Sequence, residues 1–112
     1  MNVSFQEIGQ VCATFLDAGV SEGQVCKVSE GGTVSPCAAG DRFCGAVVSR
    51  RGGYAGVTLA GFVRLSYSGP APAAGYTGLC ANGIGGVKSD SASQSYLVVE
   101  VDATAKTVCL YL

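Results

Sequence analysis

The sequence predicts an all-β protein: a small barrel or β-sandwich of short antiparallel hairpins, arranged as two similar halves. Three observations predict it. Seventeen glycines and three prolines punctuate 112 residues, and valine and aromatic residues fill the short runs between them; β-branched and aromatic runs separated by glycine turns are the composition of a sheet protein. From Ala55 to Tyr67 the chain alternates, with Ala55, Val57, Leu59, Gly61, Val63, Leu65 and Tyr67 on one face and Gly56, Thr58, Ala60, Phe62, Arg64 and Ser66 on the other. A helix cannot satisfy a period of two over that length. Finally, glycine pairs fall between runs that match in hairpin register. The length fits one domain.

Residues 1–19 read as an N-terminal segment, either an arm or a first strand, and 20–112 as the β-domain. Ser4-x-x-Glu7 has the form of a capping box, and Phe5, Ile8, Cys12 and Phe15 are spaced almost as on a helix. Gly9 interrupts that pattern, and Val11, Thr14, Phe15 and Val20 favour a strand, so Gln10–Leu16 is expected to be extended. If Gly31-Gly32 is a two-residue turn, Glu30 faces Thr33, Ser29 faces Val34, Lys27 faces Pro36 and Cys26 faces Cys37. The same reasoning at Gly52-Gly53 sets Val48 against Val57, Ala46 against Leu59 and Cys44 against Gly61. Gly61, in the middle of the long alternating run, marks a bend at which one strand serves two sheets or turns a barrel corner. A third turn lies within Asn82–Gly86, where Asn-Gly and Gly-Gly compete and the register stays open. A last hairpin joins Tyr96–Val101 to Thr107–Leu112; its strands are apolar on nearly both faces, as in a sheet covered on both sides.

Gly31-Gly32 recurs as Gly85-Gly86, 54 residues later. Phe43-Cys-Gly-Ala-Val-Val recurs loosely from Tyr96, 53 later, and Val57-Thr-Leu from Val108, 51 later. This suggests two similar halves, joined by the stiff Ser68–Gly75 segment with its Gly-Pro-Ala-Pro-Ala-Ala-Gly run.

Composition narrows the function. Charged residues make up 13% of the chain against 48% apolar, and the net charge is −1. An exposed monomer normally carries about twice that charge fraction, so much of this surface is expected to be covered by other protein. The balance gives no electrostatic footprint for nucleic acid or anionic lipid. No apolar stretch reaches the span of a bilayer, and the opening Met-Asn-Val-Ser-Phe-Gln-Glu lacks a basic region followed by an apolar run, so no signal peptide is expected. With no histidine, neither a Ser-His-Asp nor a Cys-His catalytic group can be built.

Gly83-Ile-Gly-Gly lacks the Lys-Ser/Thr and following helix of a phosphate loop. Arg50-Arg51 at a turn reads as solvated or paired across a protein interface, Asp41-Arg42 as a turn, and Lys27, Lys88 and Lys106 as isolated charges. No serine sits in a Gly-x-Ser-x-Gly elbow. Six cysteines (12, 26, 37, 44, 80 and 109) show no C-x-x-C spacing and read as small apolar core or interface residues, with Cys26–Cys37 the best-placed disulfide if one forms. No cofactor, metal site or enzymatic activity is expected.

Four stretches carry a resemblance: Gly23-Gln-Val-Cys-Lys-Val, Ala39-Gly-Asp-Arg-Phe-Cys-Gly-Ala-Val-Val, Val57-x-Leu-x-Gly-Phe-Val and Gly85-Gly-Val-Lys. Across residues 20–112 the chain resembles the small capsid decoration (cement) or head-fibre proteins of tailed phages and prophages. The resemblance rests on structural glycines and apolar strands and carries no catalytic residues. It implies a small β-barrel or sandwich that docks outside an assembled shell, as a dimer or trimer, with the major capsid protein as partner and the virion surface as location after assembly in the host cytoplasm. The N-terminal segment and the closing strands are the expected contacts, with Phe5, Phe15, Leu110, Tyr111 and Leu112 as interface residues. The alternative is a secreted or surface β-domain that binds a carbohydrate or protein ligand.

Overall fold

The structure is a computed structural model and describes residues 10–112. Among the described residues there are ten strands and no helix, so the expected all-β fold is what they adopt. The first five strands are β1 (Val11–Asp17), β2 (Val25–Glu30), β3 (Thr33–Pro36), β4 (Gly45–Arg51) and β5 (Tyr54–Ala60). They close into a barrel in the order β1-β3-β2-β4-β5. The next five are β6 (Phe62–Ser66), β7 (Gly75–Ala81), β8 (Val87–Ser89), β9 (Ser95–Asp102) and β10 (Thr107–Tyr111). They form an open sheet in the order β6-β10-β9-β7-β8.

The segment Gln10–Leu16, expected to be extended, lies almost wholly in β1. That strand pairs antiparallel with β5 and parallel with β3. Phe5 lies outside the described residues.

The long alternating run divides at Gly61, which sits between β5 and β6 with φ +116°. Only glycine adopts that backbone angle without strain, and it turns the chain out of the barrel into the second sheet. Ala55, Val57, Val63, Leu65 and Tyr67, all from one face of the run, are buried. The boundary between halves is therefore Gly61 and not Ser68–Gly75, which is the loop from β6 to β7.

The two halves share one topology. Substituting β6–β10 for β1–β5 in order reproduces four of the barrel's five neighbour relations; the fifth, β1 beside β3, has only a residual counterpart. The parallel β1–β3 contact includes an Ala18 N–H to Val34 carbonyl bond of 2.9 Å. Its counterpart is the parallel bridge between Tyr67 and Val87, with Ser68 N–H bonded to the Val87 carbonyl at 3.0 Å. The last hairpin of each half also carries a β-bulge at the same place: between Val47 and Ser49 in β4, and at Val99 between the Cys109–Glu100 and Leu110–Val98 pairs. Residues of β4 thus recur 51 positions later in β9 (Val47, Val98), and residues of β5 recur 53 later in β10 (Val57, Leu110). The sequence comparison set these two offsets the other way round.

The bulges also shift the expected hairpin registers. Beside Gly52-Gly53 the pairs Arg51–Tyr54, Arg50–Ala55 and Ser49–Gly56 hold, but beyond Val48 the register slips by one. Val47 then opposes Val57 in the core, and Val48 faces out. At Gly31-Gly32, Glu30 pairs with Thr33 as expected, but a bulge at Ser29 brings Val28 opposite Val34 and Cys26 opposite Pro36. An extra residue on one strand moves every later side chain by one partner, so Cys26 and Cys37 do not face each other. All six cysteines are unbridged.

Two hydrophobic clusters fill the molecule. One lies in the barrel: Val20, Cys26, Val34, Val47, Ala55 and Val57, with Phe15, Cys44 and Leu59 packed against it. The other gathers nine buried residues of the second half with Val25, Cys37, Phe43 and Ala46 of the first. The halves therefore share a core. The outer face of the closing strands is covered without a second layer: Arg64 of β6 and Glu100 of β9 form a 3.0 Å ion pair across Cys109 of β10, which both oppose.

A candidate interface cleft between the halves

A cleft of about 760 Å³ runs between the barrel and the open sheet. Its barrel wall is built by Lys27 and Val28 of β2, by Asp41–Cys44 before β4 and by Leu59 of β5. Its other wall is Tyr76 of β7, Gln94 and the start of β9 through Leu97, and the C-terminal Tyr111 and Leu112. Backbone bonds tie the halves beside it: Ala81 N–H to the Asp41 carbonyl at 2.9 Å, Gly40 N–H to the Ala81 carbonyl at 2.8 Å and Val25 N–H to the Gly85 carbonyl at 3.0 Å, while Leu112 N–H reaches the Gly61 carbonyl at the boundary at 2.9 Å.

The floor and rim are aromatic. Phe43 stacks on Tyr96 with ring centroids 5.0 Å apart and planes 18° from parallel. Tyr111 meets Phe62 edge-on at 5.0 Å. Tyr76 stands 79% exposed, with Val28 at 50% and Tyr111 at 42%. Isolated exposed apolar groups are ordinary; several gathered in one concavity mark a contact surface. Burial pushes the Tyr96 phenol up, and the adjacent Arg42 opposes that shift, so Tyr96 holds its proton at neutral pH.

The cleft's charges are organised. Lys27 Nζ donates to Asp41 Oδ2 at 2.6 Å, and the Ala38 N–H donates to the same oxygen at 2.9 Å. The Lys27 bond first, then the amide, hold the Asp41 carboxyl below its usual range, and Asp41 in turn raises the Lys27 amine. This fixes the tight turn that delivers Phe43. Arg42 is the exposed cation of the cleft. On the wall, Cys44 lies 4.0 Å from Cys26, sulfur to sulfur. The hydrogen bond from Cys26 pulls the Cys44 thiol down to about 7, while the same bond and burial push Cys26 up.

The sequence-predicted residues divide. Tyr111 and Leu112 line the cleft. Leu110 does not reach the surface: it alternates to the inner side of β10 and is completely buried in the shared core. Phe15 packs against the barrel cluster and does not line the cleft. Arg50, expected to be solvated or paired across an interface, is bound within the chain, its Nε 2.8 Å from Asp17 Oδ2. Asp17 also accepts the Gly19 and Val20 amides; the arginine first, then these amides, lower its pKa. Tyr76, Phe43, Tyr96 and Cys44 were missed. Tyr76 stands in a run that alternates poorly, and nothing local marks a tyrosine that a distant loop will face.

Among the described residues, no group of three or more histidine, cysteine or acidic side chains is placed to hold a metal ion, and no helix is long and apolar enough to cross a membrane. No protein-family model matches this chain, and no curated protein matches it significantly.

Proposed function

We propose that this is a structural, non-enzymatic protein that docks on the outside of a tailed-phage or prophage capsid and stabilises the shell through apolar contacts made at the interhalf cleft. The observation that carries the reading is the Tyr76–Val28–Tyr111 rim over the Phe43–Tyr96 stack. Aromatic residues gathered on a concave surface are what a protein–protein contact uses as anchors. The resemblance of residues 20–112 to decoration and head-fibre proteins supplies the partner, the major capsid protein. A protein that binds only the assembled lattice stabilises that lattice by mass action, and symmetry-related copies add avidity.

The test is quantitative protein analysis of purified particles, followed by co-sedimentation of the recombinant protein with shells lacking it. A ratio to the major capsid protein near one, or a simple fraction of it, is expected. Absence from intact particles, together with no co-sedimentation, overturns the reading.

A second reading has its own observation. Tyr76 and Tyr111 share the cleft with Asp41, Arg42, Gln94 and Ser95; flat rings beside planar donors and acceptors also suit a sugar. Under it, the protein is a secreted or surface domain that binds a carbohydrate. Glycan binding abolished by Tyr76→Ala, with no shell binding, would select this reading over the first.

A further inference from the structure

We propose that Cys44 and Cys26 form a redox-active dithiol, with Cys44 on the cleft wall as the attacking thiol and buried Cys26 as the thiol that resolves it into an intramolecular disulfide. The sulfurs are 4.0 Å apart. The backbone already ties the two residues: the Cys44 N–H donates to the Cys26 carbonyl at 2.9 Å, and Gly45, next to Cys44, is the paired partner of Cys26 across β2 and β4. Closing the gap to a disulfide bond takes side-chain rotation that brings the two sulfurs about 2 Å nearer. Among the described residues, this is the one pair of cysteines whose sulfurs are in hydrogen-bonding contact.

The two thiols differ in the way such a pair requires. Cys44 is half-buried and lines the cleft, whereas Cys26 is completely buried. The single Cys26 thiol proton has two acceptors within reach, the Gly45 carbonyl at 3.8 Å and the Cys44 sulfur at 4.0 Å, so Cys26 is the thiol of the pair held in its protonated form. Attack requires a thiolate that a reagent can reach, and Cys44 combines a place on the cleft wall with a thiol lowered by its bond with Cys26. The other cysteines are unlike it: Cys37 is buried and pushed up to about 11, chiefly by burial, and Cys80 donates to Asp90 at 3.8 Å.

The co-reactant is a small diffusible disulfide such as oxidised glutathione. The Cys44 thiolate attacks one of its sulfurs, forming a mixed disulfide and releasing one glutathione thiolate. Cys26 then loses its proton and attacks the Cys44 sulfur, releasing the second glutathione. Two protein thiols are oxidised to one disulfide, one small disulfide is reduced to two thiols, and the two protons end on glutathione. The bridge would tie β2 to the segment carrying Asp41, Arg42 and Phe43, the barrel wall of the cleft.

The experiment treats the full-length reduced protein with oxidised glutathione, then counts thiols under denaturing conditions and maps the bridge by peptide mass analysis without reduction. The expected count falls from six to four, with Cys26 joined to Cys44. Cys26→Ser is expected to stop at a glutathione adduct on Cys44, and Cys44→Ser to take up none there. In the native protein at pH 7, Cys44 should be alkylated faster than Cys12, although Cys12 is the more exposed of the two. A bridge mapped to Cys26–Cys37, a dimer linked through Cys12, or a Cys44 no faster than Cys12 overturns the proposal. The wild-type measurements alone decide this, so it does not hang on how either variant folds. Loss of shell binding is not a readout here, so the dithiol stands or falls separately from the docking reading.

Discussion

The first five strands close into a barrel and the second five, joined in the same order, lie open. One position accounts for much of the difference. Gly45 of the first half corresponds to Tyr96 of the second, 51 residues on, since Gly45 pairs with Cys26 as Tyr96 pairs with Thr77. A Cβ at Gly45 would collide with the Thr58 carbonyl and crowd Val57, so the barrel coils tightly only because that residue has no side chain. The second half carries a tyrosine there, and its inner positions are also larger: Val108 for Ala55 and Leu110 for Val57. With Phe43 inserted from the first half, this sheet cannot roll up to the same radius. Its closing contact survives as the single Tyr67–Val87 bridge. The tyrosine that keeps the second barrel open also stacks on Phe43 to floor the cleft. The same topology thus yields a closed half and a half with a concave surface.

The most damaging test of this comparison is a cavity at equivalent positions. Leu110→Ala should cost roughly 3–4 kcal/mol and Val57→Ala about 2 kcal/mol, because the larger side chain leaves the larger hole. Both should shift one common transition in urea, followed by circular dichroism and by tyrosine fluorescence. The shared cluster joins four residues of the first half to nine of the second, so two separated transitions would break the picture of halves that fold as one.

Next comes the glycine that permits closure. Gly45→Ala should destabilise by about 2–3 kcal/mol, the range for overpacking a close-packed site. Gly78→Ala also meets a backbone carbonyl, that of Asp90, but in a loop beside the open sheet that can give way; about 1 kcal/mol is expected there. Equal costs would mean that barrel closure does not depend on Gly45.

How much of this was legible follows from the same residues. Alternation from Ala55 to Tyr67 exposed the strands and the bend at Gly61, because burial of one face is a local, period-two signal. The halves were visible too, but their boundary and residue-level alignment were not. The bulges explain why. Each falls on the second valine of a doublet, Val47-Val48 and Val98-Val99, and in each the first valine is buried while the second is turned away from the core. A doublet breaks strict alternation, and that break was the available sign. At Ser29 no such sign exists, and there the expected Cys26–Cys37 pairing went wrong. The cleft was hardest to read, since its walls come from strands far apart in sequence.

A pH series sharpens the account of the shared core. Cys37 belongs to the first half by sequence and to the second half's core by packing. Its folded thiol is pushed from 9.0 up to about 11, chiefly by burial. As pH rises above 9 the unfolded chain loses this proton first, so stability present below pH 9 should decline up to pH 11, by on the order of 2 kcal/mol. Cys26 and Cys109, also raised, add to the fall. Cys44, lowered by its hydrogen bond with Cys26, acts oppositely, adding stability as pH rises toward its unfolded value. Urea midpoints from pH 7 to 11 should therefore rise slightly and then drop, and Cys37→Ala should flatten the drop.

The smallest effect on stability is expected where the halves differ most in surface. Tyr76 on the open half and Tyr54 on the barrel wall are 79% and 53% exposed, and neither ring is part of a buried cluster. Replacing either by alanine should change stability by no more than about 0.5 kcal/mol. Their effects on docking should separate sharply. Tyr76→Ala removes an anchor from the cleft and should weaken binding to shells at least tenfold, about 1.4 kcal/mol, whereas Tyr54→Ala should leave it unchanged. Binding isotherms on the same shells, with both variants matched in stability, make the comparison direct. If Tyr54→Ala weakens docking and Tyr76→Ala does not, the closed barrel presents the contact surface and the open half exists only to complete the core.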